Sequence, residues 1–70
     1  MRRGYLVKRA SEWTASEAVD CVVLDAEDRH RRRTVLTGER GTTFLLDLAS
    51  PTALHDGDGL VLDDGSIVAV

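Results

Sequence analysis

Seventy residues make one domain at most, and a chain of this length buries only about 60% of the surface it exposes when unfolded, so any cleft will be shallow. Twelve Asp and Glu against nine Lys and Arg leave a net charge of −3, which argues against a protein that works by wrapping phosphate backbones. Cys21 is the single cysteine, so no internal disulfide is expected, and its neighbours Val19, Val22 and Val23 mark it as a small packed residue in a reducing compartment.

Arg2 and Arg3 stand where a signal peptide's basic region would lie, but Lys8 and Arg9 arrive too soon for an apolar stretch to follow. No run approaches the length of a membrane span, so a cytoplasmic protein with no membrane partner is expected. Charge is uneven: eight of the nine Lys and Arg fall within Met1 to Arg33, while Thr34 to Val70 carries Arg40 against six acidic residues.

In chain order, Gly4 to Ala10 predicts a short strand at a sheet edge, where Lys8 and Arg9 discourage further pairing. Ser11 to Ala18 predicts a loop with one helical turn, anchored by Trp13. Asp20 to Asp25 alternates Cys21 and Val23 against Val22 and Leu24, which predicts a strand covered on both faces. Arg31 to Thr37 and Thr42 to Leu48 flank Gly38-Glu39-Arg40-Gly41, a hairpin signal, with Phe44, Leu46 and Leu48 sharing the core face. Ser50-Pro51 breaks the ladder, and Leu54 leads into a turn at His55-Asp56-Gly57-Asp58-Gly59. Leu60 to Asp63 and Ser66 to Val70 form a last hairpin through Asp64-Gly65, a dipeptide that favours a type I′ turn. The sum is an all-β fold, a small sandwich or barrel of about six short strands arranged as two packed small mixed sheets. Residues 1–70 read as one domain.

Catalytic and metal chemistry find little support. Asp56-Gly57-Asp58-Gly59 resembles the start of a calcium loop, but Leu60 and Ile67 stand where further ligands are wanted, so the aspartates read as caps on local backbone N–H groups. His30 and His55 lie on separate segments without a third ligand. Ser11, Ser16, Ser50 and Ser66 lack a nucleophile's context, and no turnover, catalytic residue, metal ligand or cofactor is expected. The sharpest functional feature is Arg29-His30-Arg31-Arg32-Arg33. Guanidinium groups projecting from a strand would offer Arg29, Arg31, Arg32 and Arg33 to carboxylate or phosphate as a partner-docking surface, the alternative being a solvated strand offset by Asp25, Glu27 and Asp28. Nucleic acid fits less well, because Tyr5, Trp13 and Phe44 are the whole aromatic supply and Phe44 belongs to the core.

From Asp28 onward the chain resembles the N-terminal, peptide-binding-like domain of the urease accessory protein UreE family. The resemblance is carried by Arg29 to Arg33, Thr34-Val35-Leu36-Thr37 with Gly38, and Phe44-Leu45-Leu46-Asp47-Leu48. Leu54-His55-Asp56-Gly57-Asp58-Gly59-Leu60 and Asp63-Asp64-Gly65 to Val70 complete it. It implies a β-domain of a nickel metallochaperone whose nickel ligands and homodimer contacts belong to a C-terminal domain absent from these 70 residues. It also implies docking to urease apoprotein or the urease accessory GTPase complex. The alternative reading, from size and turn density, is a small RNA-binding β-barrel of the oligonucleotide-binding type.

Overall fold

The computed structural model describes residues 1–70 and contains six strands: β1 (Arg2–Lys8), β2 (Ala18–Cys21), β3 (Arg33–Thr37), β4 (Thr43–Asp47), β5 (Gly59–Leu62) and β6 (Ile67–Ala69). Its only helical pieces are single 3-10 turns at Ala10–Glu12, Ala15–Glu17 and Asp28–His30. The all-β expectation and the strand number hold. The strands form one mixed sheet in the order β2-β6-β5-β1-β4-β3, however, where two packed sheets were expected. The joining element is β1, which runs parallel to β4 and antiparallel to β5 and so carries the hydrogen bonding across the middle. Its charges do not make it an edge strand, because Arg2, Arg3 and Lys8 sit at its two ends while inward-facing Gly4 lets Phe44 and Leu62 close over it.

This single sheet curls into a half-barrel. Its edge strands β2 and β3 lie at opposite ends of the strand order, yet Glu39, just after β3, donates its N–H to the Cys21 carbonyl at the end of β2 at 2.8 Å. The concave side holds the core: Phe44 and Leu46 of β4, Leu60 and Leu62 of β5, and Val68 of β6 are fully buried, with Leu36, Leu48 and Leu54 beside them. The predicted phase of β3 and β4 is therefore correct. The convex side is covered only in part: over β5 and β6 Val61 and Ile67 are buried where Trp13 lies across Gly59. Past β2 nothing covers it, and this corrects the reading of Asp20 to Asp25: Val22 and Leu24 point into the core, but Val23 is 80% exposed.

Both hairpins use the same turn. Gly65 donates its N–H to the Leu62 carbonyl at 2.9 Å, Leu62 N–H donates to Ser66 at 2.8 Å, and Gly65 has φ of 88°. Gly41 repeats this toward Gly38 at 3.0 Å, with Gly38 N–H on Thr42 at 2.8 Å and φ of 92°. Only the glycine has positive φ, so each is a three-residue loop ending in a glycine bulge, not the type I′ turn expected at Asp64-Gly65. The Asp64 carboxylate accepts from the Ser66 N–H at 3.0 Å and the Ser66 hydroxyl at 2.5 Å, which holds Asp64 on the negative-φ side. Trp13 anchors its segment as expected, its indole Nε1–H on the Gly57 carbonyl at 3.1 Å.

Candidate functional site

The basic run does not form a row on one strand. Asp25 accepts the Asp28 N–H in its carboxylate at 2.8 Å and turns the chain into a 3-10 turn at Asp28–His30, so only Arg33 enters β3. Arg29 reaches Asp56 at 2.6 Å and the Leu54 carbonyl at 3.3 Å. Arg31 pairs with Glu27 at 2.7 Å and lies 3.6 Å from Asp28. Arg32 donates to the Leu48 carbonyl at 3.4 Å. Neither Arg32 nor Arg33 makes an ion pair, and of the four Arg33 is the one whose side chain also makes no hydrogen bond. Two of the four predicted contact residues, Arg29 and Arg32, are thus engaged with backbone carbonyls of the segment between β4 and β5, while Arg31 and Arg33 project outward.

That same segment is pinned from its other side by Arg9, a residue the sequence did not single out. Its Nη1 donates to the Asp58 carboxylate at 2.5 Å and to the Ala53 carbonyl at 3.1 Å. Asp58 is only 3% exposed, and it also accepts the His55 N–H at 2.9 Å, which matches its expected role as a local backbone cap. The His55 side chain is 70% exposed, and no group of three His, Cys, Asp or Glu side chains converges anywhere in the chain.

Asp20 is the second residue missed. It is 3% exposed, and its carboxylate accepts three backbone N–H groups: Cys21 at 2.6 Å, Arg40 at 2.9 Å and Thr42 at 3.0 Å. Burial opposes its charge, but these bonds outweigh burial and lower its pKa from 3.8 to about 2. A Cβ on Gly38 would lie 2.4 Å from that carboxylate, so only glycine admits the clasp. Asp20 thereby ties edge strand β2 to the β3–β4 hairpin and closes the half-barrel. An apolar-flanked aspartate nine residues before the basic run carries no motif that announces this. Next to it, burial and then the Glu39 carboxylate, 3.6 Å from the sulfur, push the Cys21 thiol pKa up, so the thiol keeps its proton and is no activated nucleophile.

Two shallow grooves remain, of about 230 Å³ between Tyr5–Val7 and Leu48–Thr52 and about 260 Å³ beside Cys21 and Arg40. A bulge in β1 between Gly4 and Leu6 turns Tyr5 and Leu6 outward together. Of the three aromatic rings, Phe44 is buried and Trp13 is bonded over β5, leaving Tyr5 alone exposed, which is no platform for stacking successive bases.

A half-barrel clasped at its edges, with its buried carboxylates spent on backbone N–H groups and on Arg9 and its outer face open over β1, β4 and β3, defines a small all-β module. The chain belongs to the family described as UreE urease accessory protein, N-terminal domain, whose profile matches residues 6–70 and so takes in the end of β1 and all of β2 as well as the stretch after Asp28. Over all 70 residues it is 53% identical to the urease accessory protein UreE of Bradyrhizobium sp. strain BTAi1 and 39% identical to urease accessory protein UreE 1 of Brucella suis biovar 1. Over 53 residues, 76% of this chain, it is 62% identical to UreE of Rhodopseudomonas palustris strain HaA2. The chain spans 34%, 43% and 25% of the length of these relatives. No helix is long and apolar enough to cross a membrane.

Proposed function

We propose that the chain is a non-catalytic protein-interaction module of a cytoplasmic nickel metallochaperone that assists nickel delivery during urease maturation. It docks on urease apoprotein or on the urease accessory GTPase complex. Nickel is cargo for a further domain of the kind its longer relatives have room for, and that domain would also carry the homodimer contact. The observation that carries the reading is the family match over 65 of the 70 residues together with an elaborated outer surface. Arg33 is its first contact candidate among the arginines predicted from sequence, since Arg29 and Arg32 are occupied by Asp56 and by the Leu54 and Leu48 carbonyls and Arg31 is paired with Glu27.

Two measurements test it. The chain immobilised on a sensor should bind the cognate urease apoprotein with its accessory proteins, and no binding at low salt overturns the reading. Calorimetric titration of the chain with nickel should give at most weak heat, and a tight stoichiometric site would place the metal chemistry here instead.

A further inference from the structure

The outward face of β3, β4 and β1 carries an arrangement of side chains that packing inside this chain does not require. Successive outward residues are Arg33, Val35 and Thr37 on β3, facing Asp47, Leu45 and Thr43 on β4. The bond from Leu48 N–H to the Arg32 carbonyl fixes which pairs exchange hydrogen bonds, and Val35 with Leu45 is one of the pairs that do not. Side chains in such pairs stand closest, so the two form one aliphatic spot. Arg3 of β1 continues that rung beside Leu45, lies 3.7 Å from Asp47, and sits 5.9 Å over the Tyr5 ring. Val35 is 55% and Tyr5 43% exposed. Two guanidinium groups thus border an open aliphatic spot with a single carboxylate, Asp47, between them, and Arg33 has no ion partner.

Resting on the docking role proposed above, we infer that this face receives an extended segment of a protein partner that presents a carboxylate and, two residues on, an aliphatic side chain. The spacing is dictated by the sheet. Arg33 and Val35 are two residues apart on one face of a strand, about 7 Å, the distance that separates same-face side chains of any extended chain. The carboxylate meets Arg33, whose planar fork suits it, while the aliphatic group covers Val35 and Leu45 and shields that contact from water. Asp47 lies 3.7 Å from Arg3 and makes no ion pair with Arg33, so a row of phosphates spanning both arginines would meet its charge, whereas a single carboxylate can seat on Arg33 alone.

The test is biolayer interferometry of the chain against cognate urease apoprotein with its accessory proteins. Arg33→Glu and Val35→Glu should each weaken binding by roughly tenfold or more, the size of loss typical of central interface positions. The effect of Arg33→Glu should shrink with added salt and that of Val35→Glu should persist. Arg40→Glu, the same charge change at an exposed arginine on the hairpin tip, should bind within about twofold of the unaltered chain. Should Val35→Glu fail to fold, Val35→Thr keeps the branched shape and carries the apolar arm of the test. If the unaltered chain binds and both β3 variants bind equally well, or Arg40→Glu weakens binding as much as they do, this face is not the site and the docking role stands. If the unaltered chain does not bind, the docking role itself fails. Displacement of the complex by single-stranded RNA but not by an acidic, aliphatic peptide also overturns the inference.

Discussion

Asp20 shows how much one carboxylate can organise in a small sheet. Three N–H groups converge on it from two edges of the half-barrel, and its pKa of about 2 lies below the usual 3.8 because the bonds favour the charged form more than burial disfavours it. A depressed folded-state pKa contributes stability that is fully present above the unfolded value and is lost as pH falls through the folded one. The window is therefore from about pH 4 down to about pH 2. Asp64, held down by the Ser66 hydroxyl and N–H and by Arg2, titrates in the same window. Asp20→Asn should lower stability near neutral pH, because the amide turns a donor toward the Thr42 N–H, and should flatten the loss between about pH 4 and 2 while leaving the share of Asp64. Urea melts across that range check it; an unchanged slope would mean the clasp contributes nothing. The same residue scale explains Arg29 and Arg32, whose charge reads as a partner contact until the carbonyls of Leu54 and Leu48 are seen within reach.

The elements of this fold were legible where local chemistry decides them. Phe44, Leu46 and Leu48 alternate into the core as their spacing requires, and glycine ends both hairpin loops. Turn type was not legible from Asp64-Gly65, because that dipeptide serves either a two-residue turn or the last two positions of a three-residue loop, and the Asp64 to Ser66 bonds select the second. Gly41 and Gly65 have positive φ with nothing within 4 Å of an added Cβ, so substitution strains only the backbone. Gly41→Ala and Gly65→Ala should each cost about 1–2 kcal/mol, and by nearly equal amounts, in chemical denaturation. A much larger cost at one of them would point to packing that the open space around both glycines does not contain. The strand expected to begin at Arg31 begins at Arg33, because the Asp25 carboxylate caps a 3-10 turn that takes up the first part of the basic run.

At the scale of the whole molecule, one core under one sheet leaves little reserve. A 70-residue domain has a stability of roughly 4–10 kcal/mol at 0.05–0.15 kcal/mol per residue. Phe44 on β4 is fully buried, and Phe44→Ala should cost about 3–5 kcal/mol, roughly a third or more of that margin, and lower the melting temperature by more than about 10 °C. Circular dichroism with a thermal melt measures it, and a cooperative transition at the original temperature would mean the core does not depend on this ring. The fold leaves its convex face open over β1, β4 and β3, and there Arg3, Arg33, Val35 and Leu45 come together from three strands.

Periodicity, glycine placement and the order of turns were enough, read from the residues alone, to establish a six-strand all-β module and its inward-facing half, since those features act between neighbours along the chain. Only the tertiary structure made β1 central, joined the strands into a single curled sheet, closed it through Asp20 and separated the arginines held by carbonyls or carboxylates of the chain from Arg33, which makes no such contact. These outcomes depend on contacts between residues as many as 62 positions apart, such as Arg2 with Asp64, which no local pattern records. A charge becomes a structural tie or a docking group according to which carbonyl or carboxylate the folded chain brings within hydrogen-bond reach.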